Sequence, residues 1–125
     1  MRSVHALLVG LAALSTAAVA APPKVVDSTP AAGGIATRPA KVELTFDQPV
    51  LAAGAAFDVL MITMPGMKME EPMHMPVAST GVDASGTLLT ATFGTPLPPG
   101  TYDFKYQVRT VLGETSSGVV SFGVR

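Results

Sequence analysis

The chain has 125 residues, no cysteine and a formal net charge of −1. These values exclude disulfide bonds and thiolate metal ligands. The lack of any basic stretch argues against nucleic-acid binding. A chain of this length is expected to form one folded domain.

The first twenty residues have the pattern of an export signal. Arg2 gives a basic start, a largely apolar run extends from Ala6 to Leu14, and small residues end the segment at Ala18-Val19-Ala20. This pattern predicts a signal peptide over residues 1–20, cleaved before Ala21, and an exported domain over residues 21–125. The apolar run is shorter than the roughly 20 residues that span a membrane, so no stable membrane insertion is expected. An uncleaved N-terminal anchor is the alternative.

Alternation of polar and apolar residues predicts β-strands through most of residues 21–125. A first strand starts at Val25-Val26, and further strands are predicted at 41–46, 56–62, 88–93, 102–109 and 118–124. Loops rich in proline and glycine separate them. Six or seven such strands indicate an all-β, antiparallel, immunoglobulin-like sandwich. Tyr102, which follows Pro99-Gly100, is predicted to form a tyrosine corner, in which the tyrosine hydroxyl bonds to nearby backbone.

Methionines are concentrated in a single segment of the sequence. Apart from Met1, the methionines are Met61, Met64, Met67, Met69, Met73 and Met75. The soft thioether suits Cu(I), whereas calcium and magnesium prefer oxygen ligands. Zinc sites mostly use thiolate, imidazole or carboxylate ligands, and His74 is the one histidine after residue 20. The segment therefore predicts a Cu(I) site.

The spacing within this methionine segment suggests how the sulfurs converge. Met64-Pro65-Gly66-Met67 is a predicted β-turn, which brings its first and fourth Cα atoms within about 7 Å. Prolines flank Met73-His74-Met75, and an extended conformation there would put Met73 and Met75 on one side and His74 on the other. The ligands are therefore a choice among the six methionines and His74, whose own role stays open.

A different interpretation of the segment is that its methionines pack or dock. Methionine fills cores and forms adaptable protein-binding surfaces. Lys68, Glu70 and Glu71 interleave with the sulfurs, and three prolines interrupt the segment, which favours an exposed loop over a core. The alternative function is thus a β-sandwich adaptor whose loop docks a partner protein without metal. With one histidine and no cysteine, residues 21–125 offer no convincing catalytic set, and an enzyme is not expected.

Across residues 21–125 the chain resembles the CopC-type periplasmic copper-resistance proteins. The segments that carry the resemblance are 23–31, 39–46, the motif Met61-Ile62-Thr63-Met64-Pro65-Gly66-Met67, 98–102 and 118–122. The resemblance implies a Greek-key β-sandwich with up to two copper sites at opposite ends. It also implies a role in copper resistance, buffering or transfer. The implied partner is an inner-membrane copper transporter or another periplasmic copper protein. The oligomeric state stays open between a monomer and a dimer bridged by metal through the six methionines.

The resemblance also implies which copper site is kept. Met61, Met64, Met67 and Met73 fall on the family's methionine positions, while Met69 replaces the family's histidine and His74 lies nearby as a substitute. The family's Cu(II) site uses an N-terminal histidine, an aspartate and a second histidine. Those positions hold Pro22, Leu112 and Glu114, which implies that the Cu(II) site is absent.

Overall fold

The computed structural model describes residues 21–67 and 69–125, and the predicted signal peptide lies outside the described residues. Within these ranges the chain forms strands and no helix, so no described helix could span a membrane. The strands are β1 (Val25–Thr29), β2 (Ile35–Ala36), β3 (Lys41–Phe46), β4 (Ala56–Thr63), β5 (Met73–Met75), β6 (Ser79–Val82), β7 (Leu88–Thr92), β8 (Gly100–Arg109) and β9 (Thr115–Val124).

These strands form two sheets, one of order β1-β3-β7-β6 and one of order β2-β9-β8-β4-β5. Neighbouring strands are antiparallel except β2 and β9, which are parallel. Neighbours such as β3 and β7, or β4 and β8, are far apart in the chain, as in Greek-key sandwiches. The predicted all-β sandwich is confirmed. The described part of the chain has nine strands, against the six or seven expected. The three without a located counterpart in the sequence, β2, β5 and β6, have two, three and four residues and are too short to show an alternation.

The hydrophobic core lies between the two sheets and follows the period of two in the sequence. In β3, Val42, Leu44 and Phe46 are buried, while the two residues between them are partly exposed. Phe104 and Val108 of β8 face them from the other sheet. Each such side chain contributes about 1.5–3 kcal/mol when it leaves water, so this alternation stabilises the sandwich without disulfides.

Tyr102 forms the predicted tyrosine corner. Its hydroxyl donates a hydrogen bond to the carbonyl oxygen of Pro98, and its ring stacks on Phe122 with centroids 5.7 Å apart. Burial raises the pKa of Tyr102 to about 12. Two residues earlier, a Cβ at Gly100 would collide with the carbonyl oxygen of Thr63. Glycine thus lets the start of β8 approach the end of β4, where the methionine segment begins.

Candidate metal centre

The methionine segment, residues 61–75, connects two paired strands at an edge of the five-stranded sheet. It begins in β4, turns at residues 64–67, and returns as β5. β5 pairs antiparallel with β4, with Met73 opposite Met61, His74 opposite Leu60, and Met75 opposite Val59. This register decides which face of the sheet each candidate ligand occupies.

The predicted turn at Met64-Pro65-Gly66-Met67 is confirmed. The amide of Met67 donates a 3.1 Å hydrogen bond to the carbonyl oxygen of Met64, and the two residues form an isolated antiparallel bridge. Gly66 has a φ of 71°, a conformation that glycine adopts without strain. The Met67 side chain is 60% exposed, and Met64 is partly buried. The turn therefore brings two methionine residues close together at the backbone, and one of them is exposed.

Met61 departs from the exposed loop that the sequence composition favoured. It is 1% exposed and lies in the core cluster with Val59, its neighbour on the same face of β4. The charged residues that argued for an exposed loop all follow the turn, whereas Met61 lies before it in β4, where Val59, Leu60 and Met61 are all buried. Met61 thus supports the sandwich from inside.

β5 is extended, so the side chains of Met73 and Met75 project from the same side of the strand. Both lie on the face that Met61 and Val59 occupy on β4, because directly paired residues point to the same face of a sheet. Met73 is 48% exposed, whereas Met75 is partly buried against the core. Met69, in the connection between the turn and β5, is also partly buried against the core.

His74 lies on the opposite face of β5 from these two methionines. Its Nδ1 is 2.7 Å from Oδ1 of Asp58, and both side chains are well exposed. The separation of His74 from Met73 and Met75 is the one predicted for an extended strand, whereas the contact with Asp58 was not predicted. Only the register of β4 against β5 brings these two residues together, since they are 16 positions apart in the chain.

The available donors suit a soft ion better than a hard one. Met64, Met67 and Met73 present uncharged sulfur at or near the surface, and Cu(I) favours such ligands. Among the described residues, no group of three or more histidine, cysteine, aspartate or glutamate side chains is placed to hold a metal. The thioethers therefore fit Cu(I), while zinc, calcium and magnesium lack their usual ligands here.

The opposite end of the sandwich carries the positions that the resemblance assigned to a Cu(II) site. Leu112 lies at the tip of the β8–β9 hairpin and is 79% exposed. The ten residues of β8 separate this tip from the methionine segment by about 30 Å. A leucine side chain offers no metal donor, so Leu112 does not replace the aspartate that the resemblance requires at this position.

Comparison with known proteins identifies relatives of this chain. A family model described as the CopC domain matches residues 25–125. Copper resistance protein C of Xanthomonas campestris pv. juglandis is 33% identical, over 99% of this chain and 97% of its own length. Copper resistance protein C of Pseudomonas syringae pv. tomato is 36% identical, over 90% of this chain and 87% of its own length.

Solved structures share the fold. PcoC from Escherichia coli, described as a methionine-rich copper resistance protein, superposes with a TM-score of 0.74 and 22% identity, covering 84% of this chain and 100% of PcoC. CopC from Methylosinus trichosporium OB3b gives a TM-score of 0.63 and 23% identity, covering 82% of this chain and 92% of that one. These likenesses agree with the two-sheet sandwich described above.

Proposed function

Because the chain belongs to the CopC domain family, we propose that it is a periplasmic copper-binding protein that takes up Cu(I) through its methionine segment. Residues 1–20 act as the export signal, and residues 21–125 are the copper-binding domain. Its role is copper resistance, buffering or transfer, and it is not an enzyme. The relatives' shared name, copper resistance protein C, supports the choice of copper as the cargo.

The observation that carries this proposal is the turn that joins Met64 to Met67. The hydrogen bond between their backbones holds the two residues close together, with Met67 exposed and Met64 partly buried. Met73, on the same hairpin and 48% exposed, is the third proposed ligand. Met69 and Met75 are partly buried beside them and complete the candidate set, while Met61 lies beneath as a buried support or an inner ligand.

The chemistry of thioether ligands determines how such a site would behave. Thioethers are uncharged and need no deprotonation, so binding through them should be nearly independent of pH. Oxidation to the polar sulfoxide removes the soft donor and should abolish binding. The exposure of Met67 and Met73 lets an acceptor's ligands replace them one at a time. We therefore propose hand-over to an inner-membrane copper transporter or another periplasmic copper protein.

The proposal includes the loss of a tight Cu(II) site at the far end of the sandwich. Cu(II) prefers nitrogen and oxygen ligands in a tetragonal arrangement. Pro22 and Leu112 supply no side-chain donor, and Glu114 alone is a single carboxylate. Copper in the oxidised state should therefore bind weakly and without a defined site there.

A protein-docking role for the methionine segment is the second candidate. A cavity of about 320 Å³ lies beside β5 and is lined in part by Met75, Phe93 and Leu97. An apolar side chain of a partner would fit such a concavity, and flexible methionines adapt to different partners. In this case the sulfur atoms matter only as apolar volume.

Anaerobic titration of the exported, processed protein with Cu(I), against a chromophoric competing chelator, tests the first candidate. We expect the wild-type protein to compete for Cu(I) and the variant Met64→Leu/Met67→Leu to lose most of that affinity. Leucine keeps the apolar surface, so a docking segment would tolerate the change. Met61→Leu, which removes a buried sulfur from the same segment, tests whether Met61 is an inner ligand.

Failure of the wild-type protein to compete for Cu(I) would reject the copper proposal. In that case, retained partner binding by Met64→Leu/Met67→Leu would support the docking role. A parallel titration with Cu(II) in air should show weak binding. A loss of Cu(I) affinity in Met61→Leu equal to that of the double variant would place the buried sulfur in the ligand set.

A further inference from the structure

The pair formed by Asp58 and His74 lies outside the thioether cluster. Asp58 is on β4, two residues before Leu60, the residue that pairs with His74 on β5. Such diagonal neighbours on one sheet face are within reach of each other's side chains. In this structure Nδ1 of His74 lies 2.7 Å from Oδ1 of Asp58.

This contact determines which ring nitrogen of His74 can bind a metal ion. A carboxylate only accepts hydrogen bonds, so Nδ1 must carry the proton and donate it. In the neutral imidazole the lone pair is then on Nε2. Histidine ligands in metal proteins commonly use this arrangement, in which a carboxylate fixes the tautomer and the ring orientation. Asp58 therefore prepares His74 as an Nε2 ligand before any metal arrives.

The position of His74 separates it from the sulfurs. Met73 and Met75 flank it in sequence but project to the other face of β5, and the pairing with β4 holds this arrangement. The side chain of His74 is 75% exposed, so Nε2 is accessible from solvent on the outer face of the five-stranded sheet. While β5 stays paired, the imidazole and the two flanking thioethers face different sides of the strand.

We propose that His74, oriented by Asp58, is a separate copper contact on the outer sheet face, and that Asp58 is its positioning residue. The inference rests on the proposed Cu(I) function and adds a second point of contact to it. Imidazole is a good ligand for copper. A single imidazole leaves other coordination positions open, so this contact would be weaker than the thioether site and suited to exchange with another molecule's ligands.

Nitrogen-15 NMR of the processed protein, labelled at histidine, tests the proposal. His74 is the sole histidine of residues 21–125, so its signals are unique. Without metal, we expect the tautomer with the proton on Nδ1. Asp58→Ala should shift the ring towards the tautomer with the proton on Nε2, whereas Asp58→Asn keeps an acceptor oxygen and should largely preserve the wild-type tautomer.

Asp103→Ala is the matched control for loss of a carboxylate on this sheet. Asp103 pairs with Leu60 across β4 and β8, and its Oδ1 accepts a hydrogen bond from Ser121. Its removal changes the net charge as Asp58→Ala does but leaves the His74 contact in place. The tautomer of His74 should therefore match the wild type. An unchanged tautomer in Asp58→Ala would overturn the positioning role.

Stepwise addition of Cu(I) without oxygen tests whether the contact is separate. The first equivalent should leave the His74 signals unchanged, and further Cu(I) should shift Nε2. Asp58→Ala should weaken this second step by about tenfold or more. A shift of Nε2 with the first equivalent would overturn the inference, because it would place the imidazole in the thioether site. Tight Cu(I) binding with no change at His74 would also overturn it, yet leave the proposed function intact. Absence of any Cu(I) binding would instead reject the proposed function.

Discussion

Met61 and Met73 lie directly opposite each other on β4 and β5, yet Met61 is 1% exposed and Met73 is 48% exposed. The two residues share a side-chain type, a sheet and a face. They differ because β4 lies inside the sheet, between β8 and β5, while β5 forms its edge. One methionine therefore belongs to the core, and the other is available at the surface.

Alanine substitutions should separate these two roles. Met61→Ala should lower the free energy of unfolding by about 2–5 kcal/mol, because it leaves a cavity in the core. Met73→Ala should change it by no more than about 0.5 kcal/mol. Urea denaturation followed by circular dichroism measures both. Met61→Leu, which nearly preserves volume, should cost less than about 1.5 kcal/mol. Equal losses in the two alanine variants would contradict the assignment of Met61 to the core.

Gly66 should control both the turn and the Cu(I) affinity. An alanine there meets no atom within 4 Å, so its cost comes only from the positive φ of 71°. That cost is about 1–2 kcal/mol. If it opens the turn that joins Met64 to Met67, Cu(I) affinity should fall by about tenfold, which corresponds to 1.4 kcal/mol.

Gly66→Asn is the control for this substitution, because asparagine tolerates the left-handed conformation. Its affinity in the same chelator competition should stay closer to that of the wild type. If Gly66→Ala bound Cu(I) as tightly as the wild-type protein, the turn would not be needed for the site.

Removal of the Tyr102 hydroxyl should destabilise the sandwich. Tyr102→Phe keeps the ring that stacks on Phe122 but leaves the carbonyl oxygen of Pro98 without its donor. Pro98 is exposed, so water can reach its carbonyl oxygen, and loss of this hydrogen bond should cost about 0.5–1.5 kcal/mol. Urea denaturation should show this loss, with no change in Cu(I) affinity. A stability equal to that of the wild-type protein would show that the corner contributes little.

Alkaline pH should destabilise the fold through its two tyrosines. Burial raises the pKa of Tyr102 from 10.0 to about 12 and also raises the pKa of Tyr106. The unfolded chain therefore loses these protons at lower pH than the folded chain does. The stabilising contribution of the protonated tyrosines to the free energy of unfolding should be complete below about pH 10. It should fall as the pH rises towards 12.

Phenolate absorbance and circular dichroism, recorded together against pH, measure this effect. Tyr102 should ionise only as the fold is lost, and Tyr102→Phe should show a shallower loss of stability between pH 10 and 12. Ionisation of both tyrosines near pH 10 with the circular dichroism unchanged would contradict the burial of Tyr102.

Bound Cu(I) should stabilise the folded chain by mass action. At a free concentration 100 times the dissociation constant, the free energy of unfolding should rise by about 2.7 kcal/mol. Anaerobic thermal unfolding with and without Cu(I) measures this gain. Met64→Leu/Met67→Leu should lose most of it while keeping the stability of the metal-free protein. A gain that persists in the double variant would mean that other residues hold the ion.

Some features of this protein follow from short stretches of sequence. The alternation in 41–46 and 102–109 predicted β3 and most of β8, because the period of a strand is visible within six to ten residues. Pro65-Gly66 predicted the turn between Met64 and Met67 because these residue types favour its backbone angles. Because the sequence has no cysteine and a cluster of methionines, the sulfur ligands available to a metal ion are thioethers.

Other features depend on residues that are distant in the chain. The burial of Met61 did not follow from the sequence alone, because this residue belongs both to the predicted strand 56–62 and to the methionine segment, whose composition is that of an exposed loop. It also did not pair Asp58 with His74, since that contact requires the register of β4 against β5. Local sequence determined the secondary structure and the chemistry of the donors. Only the tertiary structure decided which donors share a face, because strand pairing sets the direction of every side chain along a sheet.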